Sequence, residues 1–325
     1  MLSLTEFTAL FDTYAREQFQ GPRWTSLYAP VRYIMNLGGK RLRPFCVYAG
    51  YGLYAAEVPY VLPLAYTLEL FHNFTLVHDD IMDEAPLRRG QATVHQQFGL
   101  PAAILSGDVM MMHCYRILQE NYPPALAHEL SSCLTKAAIG ICEGQQADMD
   151  FEQADHISTP QYLEMIRLKT AILLGCAFQT GALAGGASAD LALILEKFGT
   201  ATGMAFQIQD DWLDVFGGQE TGKQKAGDVV QKKKNYLYVK ALDLLPADEQ
   251  AGFIRLYRND DHLPTTERVH QVLTLYESLN ISAQATAEME HWTSLAYAAL
   301  QQLSLPPDHL QAFHALTQLV MQRKY

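Results

Sequence analysis

The chain has 325 residues, of which 49% are hydrophobic and 18% charged, so it can bury a sizeable core and is not a disordered polymer. Its formal net charge of −11 argues against a nucleic-acid partner, because a phosphate backbone would be repelled. The five scattered cysteines form no CxxC pair, which is typical of a reducing compartment and favours a cytoplasmic location.

Apolar residues recur with the period of an α-helix along almost the whole chain, and no strand-like alternation is convincing. The pattern predicts helices near residues 3–19, 24–36, 44–56, 60–83, 101–121, 124–150, 160–184, 188–216, 235–245, 248–257, 265–301 and 306–322. No low-complexity linker separates two halves, so we predict a single domain covering residues 1–325.

The segment from Ala171 to Ala189 contains no charged residue. It is built largely from Gly and Ala, with single Ser, Gln and Thr residues and three Leu, and Gly185-Gly186 interrupts it. A membrane-spanning helix needs about 20 predominantly apolar residues. We therefore favour a tightly packed core helix over an integral membrane segment.

The pattern DDxxD occurs twice, each time near the C-terminal end of a long apolar helix. The two clusters are Asp79, Asp80 and Asp83, and Asp210, Asp211 and Asp214. At about 100° per residue, the first and last carboxylates of each cluster lie about 40° apart on the helix. They repel one another and the negative helix end, and magnesium would relieve this repulsion. One such pattern could be a solvated helix end, but two predict metal binding.

Basic residues, only 24 in total, gather in small groups beside these helix ends. The groups are Gly38-Gly39-Lys40-Arg41-Leu42-Arg43-Pro44, Arg88-Arg89-Gly90, and Lys223, Lys225 and Lys232-Lys233-Lys234. A helix start favours anions, and arginine offers a fork for phosphate oxygens. Any one group could be a solvated basic loop. Together with the carboxylates they predict a pocket for two diphosphates, one bridged by metal and one held by cations.

In this order, the motifs resemble the trans-prenyl diphosphate synthases, the polyprenyl synthetase family. The matching elements are the Gly38–Pro44 stretch, His72 through the first cluster to Gly90, Lys169-Thr170, and Phe206-Gln207-Ile208-Gln209 leading into the second cluster and its lysines. They span roughly residues 38–240, and residues 250–325 match no motif. One departure is Asn235, which stands where the family usually places Thr or Ser.

The resemblance implies an all-α fold: a single-domain antiparallel helical bundle around a deep central cavity, of the isoprenoid synthase type I kind. It also implies a homodimer and three magnesium ions. The expected reaction is the head-to-tail (1′–4) condensation of isopentenyl diphosphate with an allylic diphosphate, giving a linear trans-prenyl diphosphate.

The family's functional residues carry over to matching positions of this chain. The resemblance implies that Asp79 and Asp83 hold two ions and Asp210 the third, with Asp80, Asp211 and Asp214 acting partly through water. It assigns isopentenyl diphosphate to Lys40, Arg43, His72 and Arg89, and the allylic diphosphate to Arg88, Lys169, Lys223 and Lys233. Gln207 and the backbone carbonyls at Lys169 and Thr170 would face the developing carbocation.

Product length depends on the floor of the cavity below the first aspartate. Ideal helix geometry places Thr75 about 40° from Asp79 and one turn below it. The resemblance names Thr75 and Phe74 as that floor. A bulky Phe74 argues against very long products and a small Thr75 against the shortest, unless Phe74 is an ordinary core aromatic. We predict mainly a twenty-carbon product, with fifteen carbons next and twenty-five within reach.

Two rival interpretations involve a similar fold. A terpene cyclase shares the first aspartate cluster, but its second metal motif resembles NSE/DTE rather than a second DDxxD. A non-catalytic partner subunit of another synthase would be expected to lose aspartates or the GGKRxRP element, and this chain keeps them all. The second DDxxD and the retained GGKRxRP element therefore favour chain elongation over both rival interpretations.

Overall fold

The computed structural model describes residues 1–20, 24–217 and 226–321, and most of them are helical. In chain order the elements are α1 (Leu4–Glu17), α2 (Thr25–Asn36), α3 (Leu42–Tyr51), α4 (Val58–Met82), β1 (Leu87–Arg88), β2 (Gln91–Ala92), α5 (Val94–Phe98), α6 (Leu100–Asn121), α7 (Pro124–Gln153), α8 (Thr159–Ile166), a π-helical turn (Arg167–Ala171), α9 (Ile172–Ala184), α10 (Ala189–Phe216), α11 (Gly227–Gln231), α12 (Tyr236–Leu244), α13 (Ala247–Arg258), α14 (Thr265–Ser278), α15 (Ile281–Gln301) and α16 (Pro307–Met321). The predicted all-α class is confirmed.

The described residues form two compact units, Met1–Leu134 with Ala177–Leu193, and Thr135–Cys176 with Ile194–Tyr325. In the first unit, α4 packs against α3 and α6. Its long apolar stretch has both faces occupied, which is why its residues Val61 to Phe71 are nearly all buried. α4 carries the first aspartate cluster at its C-terminal end.

The uncharged segment after Ala171 packs closely, as predicted for a core helix. In the first unit, a Cβ added to Gly181 would lie 2.0 Å from the carbonyl oxygen of Val47, so only glycine allows this approach to α3. The same holds for Gly50, whose added Cβ would meet the carbonyl oxygen of Phe178 at 2.4 Å. In the described part of the chain, no helix combines the length and the apolar character needed to cross a membrane.

The second unit has an aromatic core that joins α12, α13 and α14. The rings of Tyr238 and Tyr257 lie 4.4 Å apart, and Phe253 stacks on Tyr238 at 5.2 Å. Tyr276 from α14 is fully buried beside Phe253. From this core, Tyr257 donates its hydroxyl to the backbone carbonyl of Lys233, in the lysine-bearing segment that follows α11.

Two predicted helices are interrupted in the structure. The helix predicted over 265–301 is wrong as one element: it is two helices, and between them Asn280 adopts a left-handed conformation with φ of 53°. Asparagine tolerates that conformation better than most residues. The helix predicted over 160–184 contains the π-helical turn at Arg167–Ala171. A π-helix is rare, appears mostly as a single turn inside an α-helix, and is frequently found at functional sites.

Candidate active site

A β-hairpin after α4 places the two arginines of the Arg88-Arg89-Gly90 group. β1 and β2 pair antiparallel with Arg88 opposite Gln91, and the two turn residues Arg89 and Gly90 both have positive φ, 52° and 74°. Positive φ at both central residues matches the twist of a two-residue hairpin. Arg88 then reaches back to Asp80, with Nε and Nη2 donating to the carboxylate at 2.8 and 2.7 Å.

Asp80 is therefore bound within the protein. Its carboxylate is 1% exposed and accepts a forked pair of hydrogen bonds from Arg88. This forked geometry is the strongest arrangement available to an arginine and a carboxylate. Nη1 of Arg88 takes no part in the pair. In contrast, Asp83 is exposed at the C-cap of α4, and Asp79 is partly buried one turn before it.

Arg43, His72 and Arg89 form a second basic group in the first unit. Nη1 of Arg43 lies 3.1 Å from Nε2 of His72. Burial lowers the pKa of His72 well below its ordinary value, and Arg43, Arg89 and Arg88 lower it further. His72 is thus neutral and accepts the hydrogen bond of Arg43. Nη1 of Arg89 donates to the carbonyl of Gly38 in the glycine turn.

Arg43 has the properties expected of a side chain that binds an anion. Burial lowers the pKa of its guanidinium, which means that the charged form is held in a poorly solvated place. Its Nε is buried, and none of the described residues accepts a hydrogen bond from it. Such an orphaned buried donor is costly unless a ligand satisfies it. Lys40, on the same glycine turn, is exposed. Arg41, grouped with them by sequence, instead lies buried against Glu69 at 2.6 Å.

The two residues expected to set product length lie on α4 as predicted by helix geometry. Thr75 donates its hydroxyl to the carbonyl of His72 at 2.8 Å. The ring of Phe74 packs edge-on against Phe71 at 5.4 Å and against His78 at 4.9 Å. Both residues are partly buried, so their side chains are neither enclosed in the core nor fully exposed to solvent.

In the second unit, Asp211 is the centre of a hydrogen-bond network. Its carboxylate accepts from the Tyr162 hydroxyl at 2.5 Å, from the Tyr236 backbone N–H at 3.0 Å and from the Gln207 side-chain amide at 3.0 Å. Burial raises the pKa of Asp211 to about 7, although the bonds from Tyr162 and Tyr236 oppose that rise. Its oxygens serve protein donors in this structure.

The same network extends to the residues expected to face a carbocation. The hydroxyl of Thr170 lies 3.2 Å from Oε1 of Gln207, whose amide nitrogen bonds Asp211. The amide of Gln207 is therefore fixed at both ends. Lys169, beside Thr170 in the π turn, forms an ion pair with Asp148 of α7. The structure brings Lys169, Thr170 and Gln207 together within one unit.

The end of the second cluster leads into the lysine segment. Oδ2 of Asp214 accepts from the Asp228 N–H at 2.9 Å, at the start of α11. Asn235 caps α12, accepting from the N–H groups of Leu237 and Tyr238, and its own amide donates to Asp228 at 2.9 Å. The departure from Thr or Ser thus keeps an N-cap, which Asn provides as well as Ser. Lys233 is exposed, and Lys223 lies outside the described residues.

The carboxylates are hard oxygen donors of the type that magnesium prefers, and the donor set therefore fits this ion. Over residues 1–20, 24–217 and 226–321, no three His, Cys, Asp or Glu side chains gather into a ready-made metal site. Magnesium usually takes one or two carboxylates and completes its shell with substrate phosphates and water.

Comparison with solved structures defines the class of protein. A crystal structure of a geranylgeranyl pyrophosphate synthase has a TM-score of 0.93, is 34% identical, and covers 100% of both chains. A geranylgeranyl pyrophosphate synthase from Corynebacterium glutamicum, complexed with isoprenyl diphosphate and magnesium, has a TM-score of 0.80 at 25% identity, covering 98% of this chain and 97% of that one. The class is that of the all-α prenyl diphosphate synthases.

Sequence comparison gives the family. A geranylgeranyl diphosphate synthase from Methanosarcina mazei is 40% identical over 220 residues, which are 67% of this chain and 68% of that protein. The profile of the family described as "Polyprenyl synthetase" matches residues 25–276. The chain belongs to the polyprenyl synthetase family and is a prenyltransferase.

Two residues that bind the second aspartate cluster were not predicted from the sequence. Tyr162 and Asp228 belong to no motif, and each bonds a residue of the second cluster. Asp228 could have been noticed as a carboxylate placed just before three lysines. Nothing in the local sequence distinguishes Tyr162 from other aromatic residues on an amphipathic helix.

Proposed function

We propose that this enzyme condenses isopentenyl diphosphate with allylic diphosphates in the presence of magnesium and releases mainly geranylgeranyl diphosphate, with twenty carbons. The observation that carries the chemistry is the group of three arginines, Arg43, Arg88 and Arg89, around the neutral His72 and beside the aspartates at the end of α4. The twenty-carbon product is supported by the relatives described above, which are named geranylgeranyl synthases.

Substrate binding follows from the charges. Lys40, Arg43 and Arg89 hold isopentenyl diphosphate, and His72, which is neutral, orients the Arg43 guanidinium. Arg88, Lys169, Lys223 and Lys233 hold the allylic diphosphate. Arg88 would use the Nη1 that its pair with Asp80 leaves out.

Three magnesium ions would be held by Asp79, Asp83 and Asp210 and would neutralise charge developing on the allylic diphosphate as it leaves. Asp80 and Asp211 then act indirectly, through the side chains that they bind: Asp80 orients Arg88, and Asp211 orients Gln207. Asp214 bonds the start of α11 and acts partly through water.

The reaction breaks the bond between C1 of the allylic group and its diphosphate oxygen. The electron pair of the isopentenyl double bond attacks C1, and a proton then leaves C2 of the isopentenyl unit for the departing diphosphate. From the departure of the diphosphate until the loss of the proton, a carbocation must be stabilised in the absence of water. Gln207, held by Thr170 and Asp211, offers its amide oxygen to that cation, as do the carbonyls of Lys169 and Thr170.

A product assay tests the proposal. Purified protein is incubated with isopentenyl diphosphate, magnesium and a five-, ten- or fifteen-carbon allylic starter, and the products are sized after removal of the diphosphate. The expected result is a linear twenty-carbon alcohol that disappears when a chelator is added. A cyclic hydrocarbon would identify a cyclase, and no consumption of any starter would indicate a non-catalytic subunit.

A homodimer in the cytoplasm belongs to the same proposal. Leu105 and Met112 lie seven residues apart on α6, hence on one face, and each is 58% exposed. Exposed apolar residues along one face favour burial against a second copy. Light scattering should give twice the mass of the chain, and Leu105→Glu should shift it towards the monomer. A monomeric wild type would contradict this part of the proposal.

A further inference from the structure

The backbone around Lys233 is held by residues that lie outside every sequence motif. α11 is a five-residue helix, and Lys233 follows it by two residues. The carbonyls of Val229 and Val230, near the end of α11, accept hydrogen bonds from Arg268 of α14 at 2.8 and 3.0 Å. The C-terminal carbonyls of a helix carry partial negative charge, so a guanidinium is a favourable partner for them.

Arg268 is unusual because it is a charged side chain in the core. It is 2% exposed, and besides α11 it donates to the carbonyl of Tyr257 at 3.1 Å. A buried guanidinium is costly unless its donors are satisfied. Here three backbone carbonyls accept from its two Nη atoms, while its buried Nε finds no acceptor among the described residues. A fork of fixed geometry that binds three carbonyls also fixes their positions. Arg268 therefore ties α11 to α13.

Tyr257 completes the connection to Lys233. Its carbonyl accepts from Arg268, and its hydroxyl donates to the carbonyl of Lys233. The Lys233 N–H donates to the carbonyl of Asp228 at 2.9 Å. Both backbone groups of Lys233 are thus engaged, whereas its side chain is exposed. This arrangement suits a residue whose ammonium group must be available to a ligand from a rigid support.

We propose that Arg268 and Tyr257 are positioning residues for the allylic substrate, which they serve by fixing the backbone from which Lys233 reaches its diphosphate. The inference rests on the proposed function, because it takes Lys233 to be a ligand of that diphosphate. It gives α13 and α14, which lie outside the short motifs that carry the family resemblance, a part in substrate binding. A flexible lysine loses side-chain entropy on binding, so a mobile backbone under it would add to that cost.

The substitution Tyr257→Phe tests the proposal with least damage to the core, because it removes the hydroxyl and keeps the ring. We expect the KM for the allylic diphosphate to rise about fivefold, the effect of one hydrogen bond, with the KM for isopentenyl diphosphate unchanged. Tyr238→Phe is the matched control. It lies in the same aromatic cluster, and among the described residues its hydroxyl contacts only the carbonyl of Asp155, at 3.5 Å. The control should leave both constants unchanged.

A double-mutant cycle shows whether Tyr257 acts through Lys233. Lys233→Ala alone should raise the allylic KM, and adding Tyr257→Phe to Lys233→Ala should raise it no further. Additive effects would overturn the proposal, as would equal changes in both KM values, which indicate a general structural role. Arg268→Met should raise the allylic KM about tenfold, and Arg268→Lys by less. If Arg268→Met does not fold, the Tyr257 variants still decide.

The outcomes separate this inference from the proposed function. With an active wild type, an unchanged allylic KM in Tyr257→Phe overturns the positioning role alone. An unchanged allylic KM in Lys233→Ala overturns it together with the assignment of Lys233 to the allylic diphosphate. A wild type that consumes no allylic diphosphate overturns the proposed function, and the positioning role with it.

Discussion

At His72 a single imidazole lies among three arginines, and this has a consequence for stability. Because burial and the arginines lower its pKa well below the ordinary value, the folded protein keeps His72 neutral where the unfolded chain becomes protonated. Below a pH of about 6.5 the unfolded state therefore binds a proton that the folded state does not. Stability contributed by neutral His72 is present above that pH and is lost as the pH falls.

His72→Gln should remove this dependence, since glutamine can still accept the hydrogen bond of Arg43 but does not titrate. We expect the free energy of unfolding of the wild type to decrease, relative to the variant, by up to about 1.4 kcal/mol for each pH unit below 6.5. Urea denaturation of both proteins between pH 5 and pH 8 measures it. If the free energies of unfolding of the two proteins instead change in parallel with pH, His72 takes up its proton in the folded protein as it does in the unfolded chain.

Phe74 is the residue at which product length is most directly tested. Phe74→Ala removes a ring that packs against Phe71 and His78, and so opens space below Asp79. We expect products to shift from twenty carbons to twenty-five or more. Phe71→Leu, which changes a core ring that is 1% exposed, serves as the control for loosened packing. Products no longer than those of the wild type would show that Phe74 is an ordinary core aromatic.

At the level of elements, helical periodicity predicted most of the helices, and the exceptions have physical causes. The break at Asn280 has no Gly or Pro to announce it. The π turn at Arg167–Ala171 depends on tertiary packing. A Cβ added to Gly144 would lie 2.4 Å from the backbone nitrogen of Lys169, and one added to Gly203 would lie 2.7 Å from the Cα of Ala171. Two glycines on neighbouring helices thus make room for the turn, and a local pattern cannot reveal that.

Gly144→Ala should therefore displace the π turn and the residues that it carries, Lys169 and Thr170. We expect kcat to fall by at least about tenfold, because misplacing a catalytic group by a fraction of an ångström is costly. Gly252→Ala is the matched control in the same unit. It lies on α13 with nothing within 4 Å of an added Cβ, and should stabilise the helix by up to about 1 kcal/mol without loss of activity. Full activity in Gly144→Ala would contradict a functional role of the turn's position.

For the whole molecule, the motifs predicted the family and the fold class, because phosphate and magnesium chemistry restricts which residues can appear. The resemblance separated Asp80 and Asp211 from the aspartates expected to hold ions, but no motif predicted which side chains bind those two. Asp80 and Asp211 look like their neighbours in sequence, but Arg88 binds one, and Tyr162, Tyr236 and Gln207 bind the other. Those partners come from distant parts of the chain, which a local motif does not record.

The proposed function requires the acidic ends of α4 and α10 to bind the same diphosphate through shared ions. A crystal structure with manganese and an unreactive allylic thiolodiphosphate tests it, because anomalous scattering locates each metal. We expect metal peaks within bonding distance of Asp79 and Asp83 and another at Asp210, all bound to one diphosphate. Metal at only one aspartate cluster, or a diphosphate bound to neither, would contradict the account.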